Sequence, residues 1–341
     1  MSVNAQGTLR GEKRPKTLSH DDYTVGWICP LEVELIAALE MLDEEHKGLP
    51  QPPSDHTVYT LGSIAGKNVV IAGLWKPGNN AAAAVVTQMR MTFPNVRFGL
   101  LVGIGGGVPA MTEYGRIHLG DVVVSKPTGI HSGVVQYDHG KAYSGLFERI
   151  GALAPPPAVL LQAAQGLAAR RARWRRDPLI DNIMRIDTSI PSLSRFRYPG
   201  ADKDHLYPPE YVHLKPGVPC RQSGCDTNQR IMDYSNSFGE EAGGEGLPSI
   251  VVHRGTIASG ELVVKDGALR DHLAGEHGVL CFEMETAGAL ADFPCLAIRG
   301  ISDYCDSHKN DDWHGYAAAA AAAYARQLFF HLPIDQVTRY V

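Results

Sequence analysis

Four short stretches of this chain end an apolar run with side chains that can do chemistry. YTVGWIC (23–29) is followed by Glu32 and Glu34 in CPLEVEL, and GLLVGI runs into Gly105, Gly106 and Gly107. GVLCF leads into FEMETAG, with Glu283, Met284 and Glu285, and CLAI leads into RGISD, with Arg299, Ser302 and Asp303. A carboxylate can accept two hydroxyl protons at once, or hold and move a proton. In open α/β sheets ligands sit beyond the carboxyl ends of strands. Four such ends meeting at one cleft would bring carboxylates and an arginine together. Each stretch also has an ordinary structural explanation. LEVEL could be an exposed helix turn and GIGGGV a packing turn. FEME could be a helix start favoured by the dipole, and ISD a helix cap. Taken singly, none decides a function.

The elements that would position these groups alternate between strand and helix. LEVELIAALEML has helical apolar spacing behind Pro30. TVYTLGSI (57–64) and KNVVIAGL (67–74) read as a hairpin, and NNAAAAVVTQMRM (79–91) as a helix. VRFGLLVGI is an apolar strand ending at the glycine run, and HLGDVVVSKP and HSGVVQYD supply two more strands. After residue 249 the order is strand SIVVHRGTI, helix KDGALRDHLAGEH, strand GVLCF, helix METAGALADF, strand PCLAIRGIS and a final helix with the alanine run 317–323. This pattern predicts a three-layer α/β/α sandwich with a mixed, largely parallel central sheet. Residues 1–22 read as a flexible tail and 23–333 as a single domain. Within it, 177–249 forms a long insertion rich in Pro, Gly, Asp, Ser and Arg, and 334–341 is a C-terminal tail.

With 32 Lys and Arg against 37 Asp and Glu, the net charge is −5. Such a chain is not built for non-specific binding to nucleic acid or membranes. The first residues lack an apolar leader, and no apolar run reaches the roughly 18 residues of a membrane span. The expected setting is therefore cytoplasmic, with its six cysteines reduced. His213, Cys220 and Cys225 raise the question of zinc, but Cys-x4-Cys with one distant histidine is poor spacing, so no metal is expected. RRARWRR (170–176) reads as a solvated helix face. GIGGG lacks the context of a dinucleotide fingerprint.

Read in order, GWICPLEVEL, LLVGIGGGVP, HLGDVVVS, ASGELVVKDG, CFEMETAG and IRGISDYCDSHKN resemble the nucleoside phosphorylase/nucleosidase superfamily. The chain is most similar to the nucleosidase-type domains of fungal NOD-like immune receptors. The resemblance implies the roles that follow. Glu285 binds ribose hydroxyls, with Met284 on the sugar face and Glu283 near the base or its waters. Asp303 is the general acid at purine N7, partly protonated in its cleft and oriented by Ser302. Glu34 holds or deprotonates the attacking water, Arg299 positions it, and Gly105 and Gly106 line the substrate. Ile104 stands where the family carries a hydroxyl. Glu34 would repel phosphate, so hydrolysis is favoured over phosphorolysis. Lys265 and Lys309, with Lys76, Arg270 and His308, are candidates for a 5′-phosphate. The implied activity is adenine release from an adenine nucleotide or nucleoside, ATP first. The alternatives are a phosphorylase and a catalytically inactive nucleotide sensor. No cofactor is implied, and a dimer or trimer of identical chains is.

Overall fold

The computed structural model describes residues 18–215, 218–231 and 249–333. The chain begins with β1 (Val25–Cys29), α1 (Glu32–Leu39), β2 (Glu44–Glu45), β3 (Tyr59–Ile64), β4 (Lys67–Gly73), α2 (Asn79–Thr92) and β5 (Phe98–Gly107). A small hairpin, β6 (Met111–Thr112) and β7 (Gly115–Arg116), precedes β8 (Val122–Ser125) and β9 (Val134–Gln136). A second hairpin, β10 (Gly140–Tyr143) and β11 (Leu146–Arg149), leads to α3 (Ala158–Arg171), α4 (Pro178–Ile183) and α5 (Cys220–Ser223). The last part is β12 (Val252–Ser259), α6 (Gly267–His277), β13 (Val279–Glu283), α7 (Thr286–Leu290), β14 (Cys295–Asp303) and α8 (His314–Phe329).

The main sheet has ten strands, ordered β13-β12-β8-β14-β5-β1-β4-β3-β2, with β9 also paired to β12. β1–β4, β1–β5, β5–β14 and β8–β12 are parallel, whereas β8–β14, β3–β4 and β2–β3 are antiparallel. The sheet is mixed and largely parallel, as the sequence pattern predicts. The end of β13 turns back to pair antiparallel with β5, Cys281 opposite Gly107 and Phe282 opposite Gly106. That closure brings Glu283 beside the ends of β5 and β14.

The period of two along the strands builds the layers. Val25, Trp27 and Cys29 of β1, Val69 and Ile71 of β4, and Leu100 and Val102 of β5 join one core with α1, α3, α4 and α8. Ile28, Val70, Ala72 and Leu101 face the opposite core with α2 and α7. Residues 317–323 of α8 are fully or almost fully buried. The alanine run is thus a packing surface as well as a good helix former. A Cβ on Gly300 of β14 would lie 1.9 Å from the Ala317 carbonyl oxygen. Small residues on both sides let helix and sheet meet backbone to backbone.

Two strands run further than their sequence suggests. β5 continues through Gly105, Gly106 and Gly107 because these pair with β13 and β14. β14 carries Arg299, Ser302 and Asp303 inside the strand rather than after it. Of the expected N-terminal tail, residues 1–17 lie outside the described residues, but His20–Asp22 form a 3-10 turn under Ser19. The 334–341 tail lies outside them too. The described part of the 177–249 insertion packs on the domain. Asp177 caps α4 by accepting from the Leu179 N–H at 3.0 Å, and Asn182 donates to the Ala323 carbonyl at 3.2 Å. Among the described residues, no helix is long and apolar enough to cross a membrane.

Candidate active site

Arg299 is the centre of the strand-end cluster. Its buried guanidinium pairs closely with Glu283, lies 3.2 Å from Glu285, and donates to the Ile104 carbonyl at 3.3 Å. Glu283 also accepts from the Glu285 N–H, the Thr286 N–H and the Thr286 hydroxyl, at 3.1, 3.0 and 2.7 Å. These donors and Arg299 all meet Oε2, while Oε1 shares only the Thr286 N–H at 3.2 Å. Glu283 therefore anchors the turn after β13 and pairs with Arg299, and it also lines the cavity described below. Glu285 is less committed. It accepts the Gly78 N–H at 3.2 Å and the Met284 N–H at 3.3 Å besides Arg299. Burial pushes its carboxyl up to about 7, with Arg299 opposing and Glu283 reinforcing the rise.

Glu34, on the first turn of α1, accepts the Leu31 N–H at 2.5 Å and the Ile104 N–H at 2.7 Å. Burial pushes its carboxyl up to about 8 against the pull of Arg299. Gly103 makes this approach possible, since a Cβ there would be 2.3 Å from Glu34 Oε1 and 2.6 Å from Arg299 Nη1. Gly106 does the same for Asp303, whose Oδ1 would be 2.8 Å from a Cβ. Ile104 gives its N–H to Glu34 and shows an aliphatic side chain to the cleft.

Asp303 accepts from the Ser302 hydroxyl and the Cys305 N–H, each at 2.9 Å, and pairs closely with Lys309. Cys305 aims its N–H by adopting φ 54°, the left-handed region that is strained for a residue with a Cβ. Burial would raise the Asp303 carboxyl, but Lys309 and the hydrogen bonds outweigh it and hold it below its ordinary value. Asp303 is thus ionised at neutral pH, not partly protonated as expected. The proton of this pair sits on Lys309.

A cavity of about 180 Å³ is lined by Glu34, Ile104, Gly105, Gly106, Glu283, Met284, Glu285, Arg299, Ser302 and Lys309. Asp303 lies just behind, in an adjoining hollow of about 20 Å³ that shares Ser302 and Lys309. Of the proposed phosphate ligands, Lys309 is engaged by Asp303. Arg270 is buried against the Tyr304 carbonyl and Asp271, both at 2.7 Å. His308 faces Cys220. Lys265 and Lys76 are exposed and lie outside the lining, each one residue from it, at Val264 and Pro77. Sequence reasoning missed the apolar wall of Pro77, Leu262, Val263, Val264 and Phe282, and also His314. The run LVV after the Gly260 turn was a usable signal, because apolar residues in a loop need something to cover. A larger hollow of about 840 Å³ lies beside Arg171, Trp174 and Tyr324. It lacks the converging carboxylates. There Arg171 pairs with Asp177 and donates to the Ile250 carbonyl at 2.8 Å, so RRARWRR is in part a clamp rather than a solvated face.

Residues 193–329 match the Phosphorylase superfamily. A nucleotide-binding leucine-rich repeat (NLR)-like protein of Hyaloscypha variabilis is 41% identical over 329 residues, 93% of this chain and 30% of that protein. ATP nucleosidase Cap17 of Escherichia coli is 26% identical over 332 residues, 94% of this chain and 54% of that protein. The chain thus spans about half or less of these relatives. Among solved structures, futalosine hydrolase of Helicobacter pylori superposes with a TM-score of 0.57 at 17% identity, over 92% of this chain and all of that one. An MTAN mutant of the same organism, with 5′-methylthioadenosine in its active site, gives 0.56 at 16% identity, over 91% of this chain and 99% of that one. Sheet order and these superpositions agree on a nucleoside phosphorylase/nucleosidase-type fold, within which residues 193–329 match the Phosphorylase superfamily.

Proposed function

We propose that the chain is a purine N-ribosyl hydrolase that releases adenine from adenine nucleotides or nucleosides, ATP before adenosine. The observation that carries hydrolysis is the engagement of the cations. Arg299 and Lys309, the Arg and Lys residues that line the cavity, are both paired to carboxylates. An incoming phosphate dianion would have to compete with Glu283, Glu285 and Asp303 for them. Water has no such competitor. The similarity to an ATP nucleosidase supports ATP, and exposed Lys76 and Lys265 beside the lining are the groups that could meet a polyphosphate.

In this reading Glu285 accepts ribose hydroxyls and Met284 packs on the sugar. As the bond from ribose C1′ to purine N9 breaks, its electron pair leaves with the base, and a proton must reach N7. The Asp303–Lys309 pair supplies it as a unit, since Asp303 alone carries none. The water oxygen bonds C1′, and Glu34 takes the water proton. Carboxylates around Arg299 favour the positive charge that develops on the sugar.

The test is chromatography of the purified chain with ATP, AMP, adenosine, methylthioadenosine, inosine and guanosine, each with and without phosphate. Adenine freed without phosphate is expected, and Asp303→Asn should cut its release by about 10²-fold or more. Base release only with phosphate would make the chain a phosphorylase. A second reading, a nucleotide sensor, is favoured by the similarity to an NLR-like protein and by Lys309 occupying Asp303. Tight nucleotide binding with no base released under any condition would establish it.

A further inference from the structure

The insertion brings a second chemical cluster together beside the candidate active site. His213, Cys220, Cys225 and His308 each offer one nitrogen or sulfur, and the four atoms lie within 4.8 Å of one another. Cys220 Sγ is 3.5 Å and Cys225 Sγ 3.9 Å from His308 Nδ1. Zinc bond lengths of about 2.3 Å to sulfur and 2.0–2.1 Å to nitrogen, at tetrahedral angles, place such atoms about 3.6 Å apart. His213, Cys220 and His308 are buried and Cys225 is partly so.

The surroundings are arranged as an outer shell. His308 Nε2 lies 2.9 Å from the Tyr211 carbonyl, so its N–H is on Nε2 and the Nδ1 lone pair points at the two sulfurs. Its ring is stacked on Tyr207, with centroids 4.1 Å apart and planes within 17°. The His213 backbone N–H donates to the Ser307 hydroxyl at 2.8 Å, tying the insertion to the loop that carries His308. Two histidines and two cysteines in this shape are a closed set for a soft-to-borderline cation of tetrahedral preference.

We propose that these four residues bind a structural Zn²⁺ ion. Binding releases one proton from each thiol, so the site of two thiolates, two neutral imidazoles and Zn²⁺ is electrically neutral. The ion cross-links the insertion to the loop after β14. His308 precedes Lys309, the partner of Asp303, so the zinc also fixes where that ammonium stands. Sequence spacing hid the site because its fourth ligand lies 83 residues beyond Cys225.

The full chain should be purified without metal-affinity resin and its metal measured by mass spectrometry. About one zinc per chain is expected, falling to about zero in the Cys220→Ser/Cys225→Ser double variant. Zinc retained in a folded double variant would overturn the assignment. Should that variant fail to fold, the wild-type chain still decides. Chelated, then titrated with Co²⁺, it should show thiolate-to-cobalt charge transfer and tetrahedral visible bands. Zinc should also slow alkylation of Cys220 and Cys225, read by peptide mapping. No copurified zinc, no cobalt spectrum and alkylation indifferent to zinc would together overturn the proposal. These readouts do not depend on whether the chain cleaves nucleotides.

Discussion

The strongest prediction concerns the sign of a pH effect. Glu34 titrates near 8 instead of 4.5 because burial outweighs Arg299, a penalty on ionisation of about 5 kcal/mol. At pH 7 roughly a tenth of the molecules then carry the Glu34 carboxylate, and at pH 9 about nine-tenths. If Glu34 is the base and the Asp303–Lys309 pair holds the proton for N7, kcat/KM for adenine release should rise about 10-fold from pH 7 to 9. The profile is different if Asp303 must first take a proton from solution. Its carboxyl is held low, so acid and base would be in the right forms together only in a small, constant fraction between their two pKa values. The rate would then be level below pH 8 and fall above it. The assay is initial-rate chromatography across pH 6 to 9.5 with wild type and Glu34→Gln. The variant should be slower by about 10²-fold and lose the limb near 8. A wild-type rate that falls above 8 would refute the paired proton source, and a Glu34→Gln profile that keeps the limb would refute Glu34 as the base. Stability moves the opposite way. Between 4.5 and about 8 the unfolded chain releases a proton that folded Glu34 keeps, so this residue's contribution to stability declines as pH rises through that window.

Further expectations follow from the same contacts. Lys309→Met should lower turnover by about 10²-fold or more while nucleotide binding by calorimetry survives, because it removes the proton and not the pocket. Glu283→Gln breaks a buried pair, which costs about 3–5 kcal/mol and should lower the calorimetric Tm by on the order of 10 °C; an unchanged Tm would deny Glu283 its anchoring role. Gly103→Ala puts a methyl 2.3 Å from Glu34 Oε1, so Glu34 must move and kcat should fall about 10²-fold. Normal kcat in that variant would show that Glu34 placement is not limiting.

The alternating elements were legible because strand and helix periods differ and each strand is bounded by turn residues. Glu34, Glu285, Arg299 and Asp303 were legible because the polar groups stand at the ends of apolar runs. Three things were not. Glu283 and Glu285 differ in the donors each meets, and two carboxylates one residue apart look alike in sequence. The ionisation of Asp303 depends on Lys309, six residues away across a turn with a left-handed cysteine, which spacing does not reveal. The Cys2His2 cluster was dismissed because its last ligand comes from the far side of the insertion.

These particulars explain why the cluster keeps so many acids around one arginine. With Glu34, Glu283 and Glu285 all ionised, Arg299 would leave the pocket at −2, which a buried site resists. The pocket relieves this by holding protons on Glu34 and Glu285, whose carboxyls are pushed up to about 8 and about 7, while several donors converge on Glu283 Oε2. A sugar that gains positive charge as its base departs reverses that balance. It makes the ionised forms favourable at the moment when Glu34 must accept a proton from water, if the proposed hydrolysis holds. The carboxyl groups that keep Arg299 engaged against phosphate in the resting pocket would then, once ionised, favour the transition state of hydrolysis. Removing one acid should therefore do more than delete a contact. Glu285→Gln should lower the Glu34 titration as well as weaken ribose binding, because the ionised Glu285 is one of the groups holding Glu34 up. The ascending limb of the pH profile should move to lower pH in that variant, and a limb that stays at its wild-type position would show that the two carboxyls do not share the pocket's charge.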